Sequence, residues 1–208
     1  MISDILGVIL AGGRATRMGG GDKALLNLGG QTLLTRVIRR LSHQVGGMML
    51  NANGDPARFA EYGLPVRADS LPDHPGPLAG VLAGLDWAAE QGATHIVTVA
   101  ADTPLFPEDL VARLTAAARE KHAPIALAAT PDPKRGFVRH PTFGLWPVSL
   151  RDDLRAALIG GMRKIVIWTD AHNAATAMFE ADPYDPFYNL NAPEDMIRAA
   201  ALLGVERT

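Results

Sequence analysis

Residues 5–23 read ILGVILAGGRATRMGGGDK, an apolar run that stops abruptly in a glycine-rich, basic loop. The run over residues 5–11 is uncharged and bounded by glycine, so it reads as a buried strand feeding a loop. The loop carries five glycines (Gly12, Gly13, Gly19, Gly20 and Gly21), two arginines (Arg14 and Arg17) and a closing Lys23. Glycine lets backbone N–H groups approach phosphate oxygens without side-chain obstruction, and consecutive N–H groups form an anion nest. Arg17 and Lys23 are then the cations that neutralise a triphosphate and the charge that develops during transfer. The plain alternative is a flexible glycine turn; placement after a buried strand and positive charge together favour phosphate binding.

Two better-known phosphate loops do not fit. A Walker A loop requires Gly-Lys-Ser/Thr, whereas Asp22-Lys23-Ala24 offers no hydroxyl for a metal. A dinucleotide fingerprint requires three spaced glycines opening a helix and an acid ending the next strand. Here the next strand candidate ends in Asn51, and the loop carries arginines.

Beyond this loop, strand and helix patterns alternate. Residues 32–45 place Leu34, Val37, Ile38 and Leu41 on one helical face, with arginines opposite. Residues 48–50 form a short apolar run closed by the turn chemistry of Asn-Ala-Asn-Gly at 51–54, and residues 64–68 suit a short strand. Residues 77–90 suit a helix with proline in its first turn, and residues 95–101 (HIVTVAA) form the clearest central strand. A helix over 107–121 and a strand over 125–129 follow. Beyond residue 130 the pattern loosens: a mobile turn at 131–136, a strand over 140–147, helices near 150–158 and 161–170, a Pro/Asp/Asn-rich loop over 182–191, and a last helix from about Pro193. Such alternation predicts an α/β chain: a single three-layer domain over 1–208 with a mainly parallel, Rossmann-like sheet. Its N-terminal half should bind nucleotide, with residues 131–192 forming the acceptor side. Ligands in such sheets sit at the carboxyl ends of strands, which places the chemistry just after Ala11, Leu50, Ala68 and Ala101.

Asp102, in Ala101-Asp102-Thr103-Pro104 after the central strand, is well placed to hold Mg²⁺, a cation that keeps several waters and takes few protein ligands. Its plain alternative is a turn-capping aspartate. Asn51 and Asp69 also end strands and suit contact with a base or ribose, or simple turn roles. In Gly76-Pro77-Leu78-Ala79-Gly80 the glycines either let a base pack on backbone or allow tight helix–sheet packing. Asn189 and Asn191 lie before the last helix; Asn191 or its neighbour is expected to cap it, with an amide near metal or acceptor as a further role. His140 has no second histidine at ligand spacing and is read as a packing or acceptor contact. Trp87, Trp146 and Trp168 are read as core.

Composition bounds the reading. The 208 residues are 48% hydrophobic and 20% charged, ordinary for a globular chain, with net charge −2 and no basic block to suggest nucleic-acid or membrane binding. There is no cysteine, which excludes disulfides and thiolate chemistry. The N-terminus carries an acid where a signal peptide carries positive charge, and its apolar run is too short to span a bilayer. The expectation is a soluble, cytoplasmic protein.

The chain resembles the molybdenum cofactor guanylyltransferase family. The match rests on LAGGRATRMGGGDK at 10–23, NAN at 51–53, Asp69, GPLAG at 76–80, ADTP at 101–104, HPTF at 140–143 and NLNAPED at 189–195, in order along nearly the whole chain. The resemblance implies the nucleotide-diphospho-sugar transferase-like fold and a site in which Leu10, Ala11, Gly12, Gly13 and Lys23 hold the triphosphate. Asn51, Asp69, Gly76 and Gly80 would serve the nucleotide, and Asp102 would bind Mg²⁺. It further implies transfer of GMP from GTP to the terminal phosphate of molybdopterin. Transient contact with cofactor-synthesis proteins or molybdoenzyme chaperones would follow, because the product is handed on. The Leu-Ala-Gly-Gly start is associated with guanine users, whereas cytidylyl relatives usually read Leu-Ala-Ala-Gly.

Two other readings remain at this point. One is a cytidylyl- or sugar-1-phosphate nucleotidyltransferase with the same loop. The other is a nucleotide-binding regulatory module without turnover, against which the pairing of Lys23 with a metal-type Asp102 argues.

Overall fold

The structure, a computed structural model, describes residues 4–12, 21–71 and 76–205. Gly13 and Arg17, expected in the phosphate loop, lie outside the described residues. The first strand, β1 (Ile5–Leu10), pairs in parallel on both sides, with β4 (Met48–Asn51) and β6 (His95–Ala100). A strand so enclosed has no solvent face, which is why its sequence is a continuous apolar run rather than an alternation. Its glycine serves close packing: a Cβ on Gly7 would lie 2.7 Å from Leu41 Cδ2 of helix α1 (Leu33–Ser42). On the other face, a Cβ on Gly84 of helix α2 (Pro77–Glu90) would lie 2.6 Å from Val8 Cγ2.

The sheet has seven strands in the order β5-β4-β1-β6-β8-β7-β9. β5 (Val66–Arg67) is parallel to β4, and β9 (Ala175–Met178) to β7 (Ala126–Asp132). Only β8 (Gly136–Pro147) runs against its neighbours β6 and β7. Two cores flank the sheet. One packs Ile9, Val97 and Val99 against Leu34 and Val37 of α1 and Leu110 and Leu114 of α3 (Leu110–Lys121). The other packs Val8 and Ile96 against Leu78, Val81 and Leu85 of α2, with Leu154 of α4 (Arg151–Ile159) and Trp168 of α5 (Ile165–Ala171). The expected three-layer α/β arrangement is therefore present, with β6 at its centre. Trp87, Trp146 and Trp168 are buried, and Trp146 donates its indole N–H to Thr98 at 2.9 Å.

Several expectations are corrected. α1 is shorter than residues 32–45, because Thr32 is its N-cap, accepting the Thr35 N–H at 3.1 Å, and the helix ends at Ser42. α3 begins at Leu110 rather than at 107. The segment 131–136 is the tip of a long β7–β8 hairpin, with the Asp132 carboxylate accepting the N–H groups of Lys134 and Arg135 at 2.9 and 2.8 Å. Sequence reasoning missed β9, and it missed a small hairpin, β2 (Asn27–Leu28) with β3 (Gln31–Thr32). That hairpin matters to the site. With Leu33 and Leu105 it forms a third apolar cluster that receives Leu190 and the last helix, α6 (Pro193–Leu203), so the end of the described chain returns to residues near its start. Among the described residues no helix is long and apolar enough to cross a membrane.

Candidate active site

The chain leaves β1 for β4 and β5 on one side and returns to its other side as β6, so the strand order reverses at β1. Ligand crevices form at the carboxyl edge of such a reversal, where connections diverge to the two faces. A cleft of about 380 Å³ lies there, a volume suited to a small-molecule site. Leu10, Ala11 and Gly12 leave β1 into it, and Lys23, Asn51, Asp69, Gly76, Asp102 and Asn189 line it with them. The strand-end rule thus places residues from four separate segments in one cleft.

One end of the cleft is a charged junction. Lys23, only 7% exposed, directs its ammonium to Asp102 Oδ2 at 2.6 Å and also donates to Asn191 Oδ1. The Thr103 hydroxyl shares its one proton between Asp102 Oδ1 at 3.2 Å and Asn189 Oδ1. The Asp102 carbonyl accepts the Leu190 N–H at 3.0 Å, which docks the 189–191 segment against the end of β6. Asp22, preceding Lys23, is tied to Arg58 at 2.6 Å, so the residues closing the loop are anchored on the turn over Pro56–Tyr62. The Lys23 ammonium is met by two hard oxygen donors, the Asp102 carboxylate and the Asn191 carboxamide, with the Asn189 carboxamide tied to the junction through Thr103. That donor chemistry fits Mg²⁺, which takes one or two carboxylates and completes its shell with water and phosphate.

The other end is a polar clamp. Asn51 donates to Asp69 Oδ1 at 3.0 Å and to the Arg67 carbonyl at 3.2 Å. Asn53 donates to Asp69 Oδ2 at 2.7 Å and accepts the Asp69 N–H at 2.9 Å. Asn53 was not singled out from the sequence, although the repeated Asn of 51–53 was a usable signal. Gly80 does not line the cleft but lies beneath it: a Cβ there would sit 2.3 Å from Asn51 Oδ1 and 2.8 Å from Leu10 Cδ2. Its role is therefore close packing against the clamp. Gly76 opens α2 at φ +129°, a conformation that favours glycine.

The distal half of the chain contributes through an irregularity. Between the pairs Leu127↔Gly144 and Ala128↔His140 of the β7–β8 ladder, Pro141, Thr142 and Phe143 have no partners, and this bulge carries Thr142 to the cleft wall. Bulges beside sites commonly re-aim a side chain in this way. His140 packs rather than lines: its ring stacks on Phe187 at 4.6 Å and Nε2 meets the Thr130 hydroxyl at 2.9 Å. Burial lowers its pKa, partly opposed by Asp185. The cap of α6, expected at Asn191 or its neighbour, falls at the neighbour. The cap residue is Ala192, and Asp195 accepts the N–H groups of Asn191 and Ala192 at 2.7 and 2.8 Å, leaving the Asn191 carboxamide for Lys23.

Comparison with known proteins shows the family. The profile of the MobA-like NTP transferase domain matches residues 7–174. A curated molybdenum cofactor guanylyltransferase from Bradyrhizobium sp. (strain ORS 278) is 50% identical over 203 residues, covering 96% of this chain and 93% of the relative. Its counterpart from Mesorhizobium japonicum is 45% identical over 208 residues, covering 98% of each. Among solved structures, molybdopterin-guanine dinucleotide biosynthesis protein A from Archaeoglobus fulgidus superposes with a TM-score of 0.73 at 20% identity, covering 96% of this chain and 98% of that one. CMP:2-keto-3-deoxy-manno-octonic acid synthetase complexed with CTP gives 0.73 at 14% identity, covering 97% and 99%. At these identities the structural likeness speaks for the fold alone.

Proposed function

The chain belongs to the MobA-like NTP transferase family, and from that premise we propose that it transfers GMP from GTP to the terminal phosphate of molybdopterin carrying molybdenum. The product is the guanine dinucleotide cofactor, with pyrophosphate released. The observation that carries this reading is the junction of Lys23 with Asp102 at 2.6 Å, at the carboxyl edge of β6 and at one end of a cleft whose other end is the Asn51–Asp69 clamp.

The reaction needs little acid–base help. An acceptor phosphate monoester is ionised at neutral pH; one of its oxygens forms the bond to the α-phosphorus. The bond from the α-phosphorus to its bridging oxygen breaks, and that electron pair leaves with pyrophosphate. What the protein must supply is alignment and charge neutralisation. Lys23 is held by Asp102 and Asn191, so its ammonium is positioned before the triphosphate arrives. Asp102 would also hold Mg²⁺, which would take the place of the ammonium beside the carboxylate and neutralise phosphate charge. Arg17 adds a further cation from the loop. Asn51 and Asp69 offer donors and acceptors to the nucleoside, and a site of that kind rejects bases that leave its polar groups unpaired. Thr142 and Asn189 reach the cleft from the segment assigned to the acceptor. The protein acts in the cytoplasm and passes its product on through transient contact with cofactor-synthesis proteins or molybdoenzyme chaperones.

Calorimetric titration with GTP, CTP and ATP, each with Mg²⁺, tests the nucleotide. Selective binding of GTP and acceptor-dependent pyrophosphate release are the expected results. Preference for CTP would move the protein to a cytidylyl activity, and nucleotide binding without release would leave a regulatory module.

A further inference from the structure

Asp69 sits in a strap with little sheet support. β5 is two residues long and pairs only through Leu50↔Val66 and Asn51↔Arg67, and the last ladder contact is the Ala52 N–H to the Arg67 carbonyl at 3.0 Å. Beyond Arg67 the strap is fastened instead to α2, at positions one helical turn apart. Arg67 donates to Glu90 Oε2 at 2.8 Å, and Ser70 donates to Asp86 Oδ2 at 2.6 Å. Residues four apart share a helix face, so Asp86 and Glu90 form two points of one fastening. Asp69 lies between the two points and is engaged elsewhere, by Asn51 and Asn53 at the cleft.

The two points are unequal. The Arg67 and Glu90 side chains are 50% and 53% exposed, and a solvated pair of that kind contributes little. Asp86 is 24% exposed and is gripped a second time by α4, with Arg155 Nη2 at 2.6 and 2.8 Å from its two oxygens. A carboxylate held by a guanidinium keeps its orientation, so its contact with the Ser70 hydroxyl is directional. Nothing in this group touches the cleft except through the strap.

We propose that Ser70, Asp86 and Arg155 are positioning residues for the nucleotide: a staple from α4 through α2 to the strap that sets Asp69 in the cleft. The inference rests on the reading of Asp69 as a nucleotide contact, and it deepens that reading by naming what orients the group. The staple acts on ground-state binding, because the Lys23–Asp102 junction lies on a different segment.

Ser70→Ala is expected to raise KM for GTP about three- to tenfold, the range that loss of one hydrogen bond allows, with kcat within about twofold of the parent. Asp86→Asn should do the same, the double variant should be no worse than the worse single one, and Ser70→Thr should restore the parental KM. Hydrogen exchange at the Asp69 amide, which the Asn53 carboxamide accepts at 2.9 Å, should quicken in Ser70→Ala whether or not nucleotide is present. An unchanged exchange rate there would overturn the staple without reference to any ligand. Faster exchange with an unaltered KM for GTP would instead overturn the role of Asp69 at the nucleotide. A fall in kcat equal to the rise in KM, or additive single variants, would also overturn the proposal.

Discussion

Gly80→Ala tests how the nucleotide end of the cleft is built. The added Cβ would lie 2.3 Å from Asn51 Oδ1 and 2.8 Å from Leu10 Cδ2, where ordinary contact begins at 3.4 Å. Neither neighbour yields easily. Leu10 ends a strand paired on both sides, and Asn51 is 5% exposed with its amide committed to Asp69 and the Arg67 carbonyl. Asn51 must therefore rotate and release both hydrogen bonds. Those bonds contribute about 0.5–1.5 kcal/mol each, overpacking costs about 1–3 kcal/mol, and the better helix propensity of alanine returns about 1 kcal/mol. The net destabilisation is about 1–5 kcal/mol, of which the hydrogen-bond part, about 1–3 kcal/mol, bears on the nucleotide. KM for GTP should then rise about 5- to 150-fold, read from initial rates of pyrophosphate release at saturating acceptor. Gly84→Ala is the control on the same helix: its Cβ would meet Val8 Cγ2 at 2.6 Å and Ile96 Cδ1 at 2.9 Å, in the core away from the cleft. It should lower Tm and leave KM alone. If Gly80→Ala lowers Tm and keeps the parental KM, Asn51 has no part in nucleotide binding and the reasoning fails.

Asp102→Ala should reduce kcat by about 100-fold or more with a smaller loss of GTP affinity, because its charge organises the transfer end of the cleft; equal losses in rates and calorimetric affinity would make it a binding residue only. Asp195→Ala removes the acceptor for the Asn191 and Ala192 N–H groups, so it should cost about 1 kcal/mol in stability and lower kcat through a displaced Asn191. Unchanged turnover in that variant would separate Asn191 from the Lys23 junction. Burial lowers the pKa of both His95 and His140, with Asp185 partly opposing it at His140. Each takes up a proton less readily folded than unfolded, so their contribution to stability is complete above pH of about 6.5 and declines as pH falls through that value toward the folded pKa values. Tm measured from pH 7.5 down to 5.5 should fall, and His140→Gln should flatten part of the slope; an unaltered slope would remove His140 from the account.

How much of this was legible depended on whether the signal was local. α2 is found at residues 77–90 as expected, because Pro77 at its first position and the apolar face after it are local marks. β1 and β6 announce themselves because burial on both faces leaves a nearly continuous apolar run, broken in β6 only by His95 at its start and the buried Thr98. β9 did not: Ala175-Thr176-Ala177-Met178 has little β character and becomes a strand only because β7 offers it an edge. The β2–β3 hairpin carried a signal that was passed over, two glycines between Leu28 and Gln31, with φ +59° and +77°. At the site, strand ends led to Asn51, Asp69 and Asp102. Thr142 was missed as a site residue because a three-residue bulge depends on register with β7, which no local pattern encodes. The cap expected at Asn191 or its neighbour falls at the neighbour, Ala192, whose N–H goes to Asp195, and only the tertiary return of α6 shows why the Asn191 carboxamide is free for Lys23.

That return also sets an order of events. The Lys23 ammonium meets a carboxamide 168 positions further along the chain, and Asp102 receives the Leu190 N–H. Contacts so distant in sequence close late, since the entropy of a long loop must be overcome before they form. During synthesis, the glycine loop and the central strand would emerge well before the segment that completes their junction. A ribosome-bound chain stopped short of Asn191 should thus hold most of its sheet and still lack the oriented lysine. Transfer competence is in this sense acquired only once the segment around Asn191 has been made.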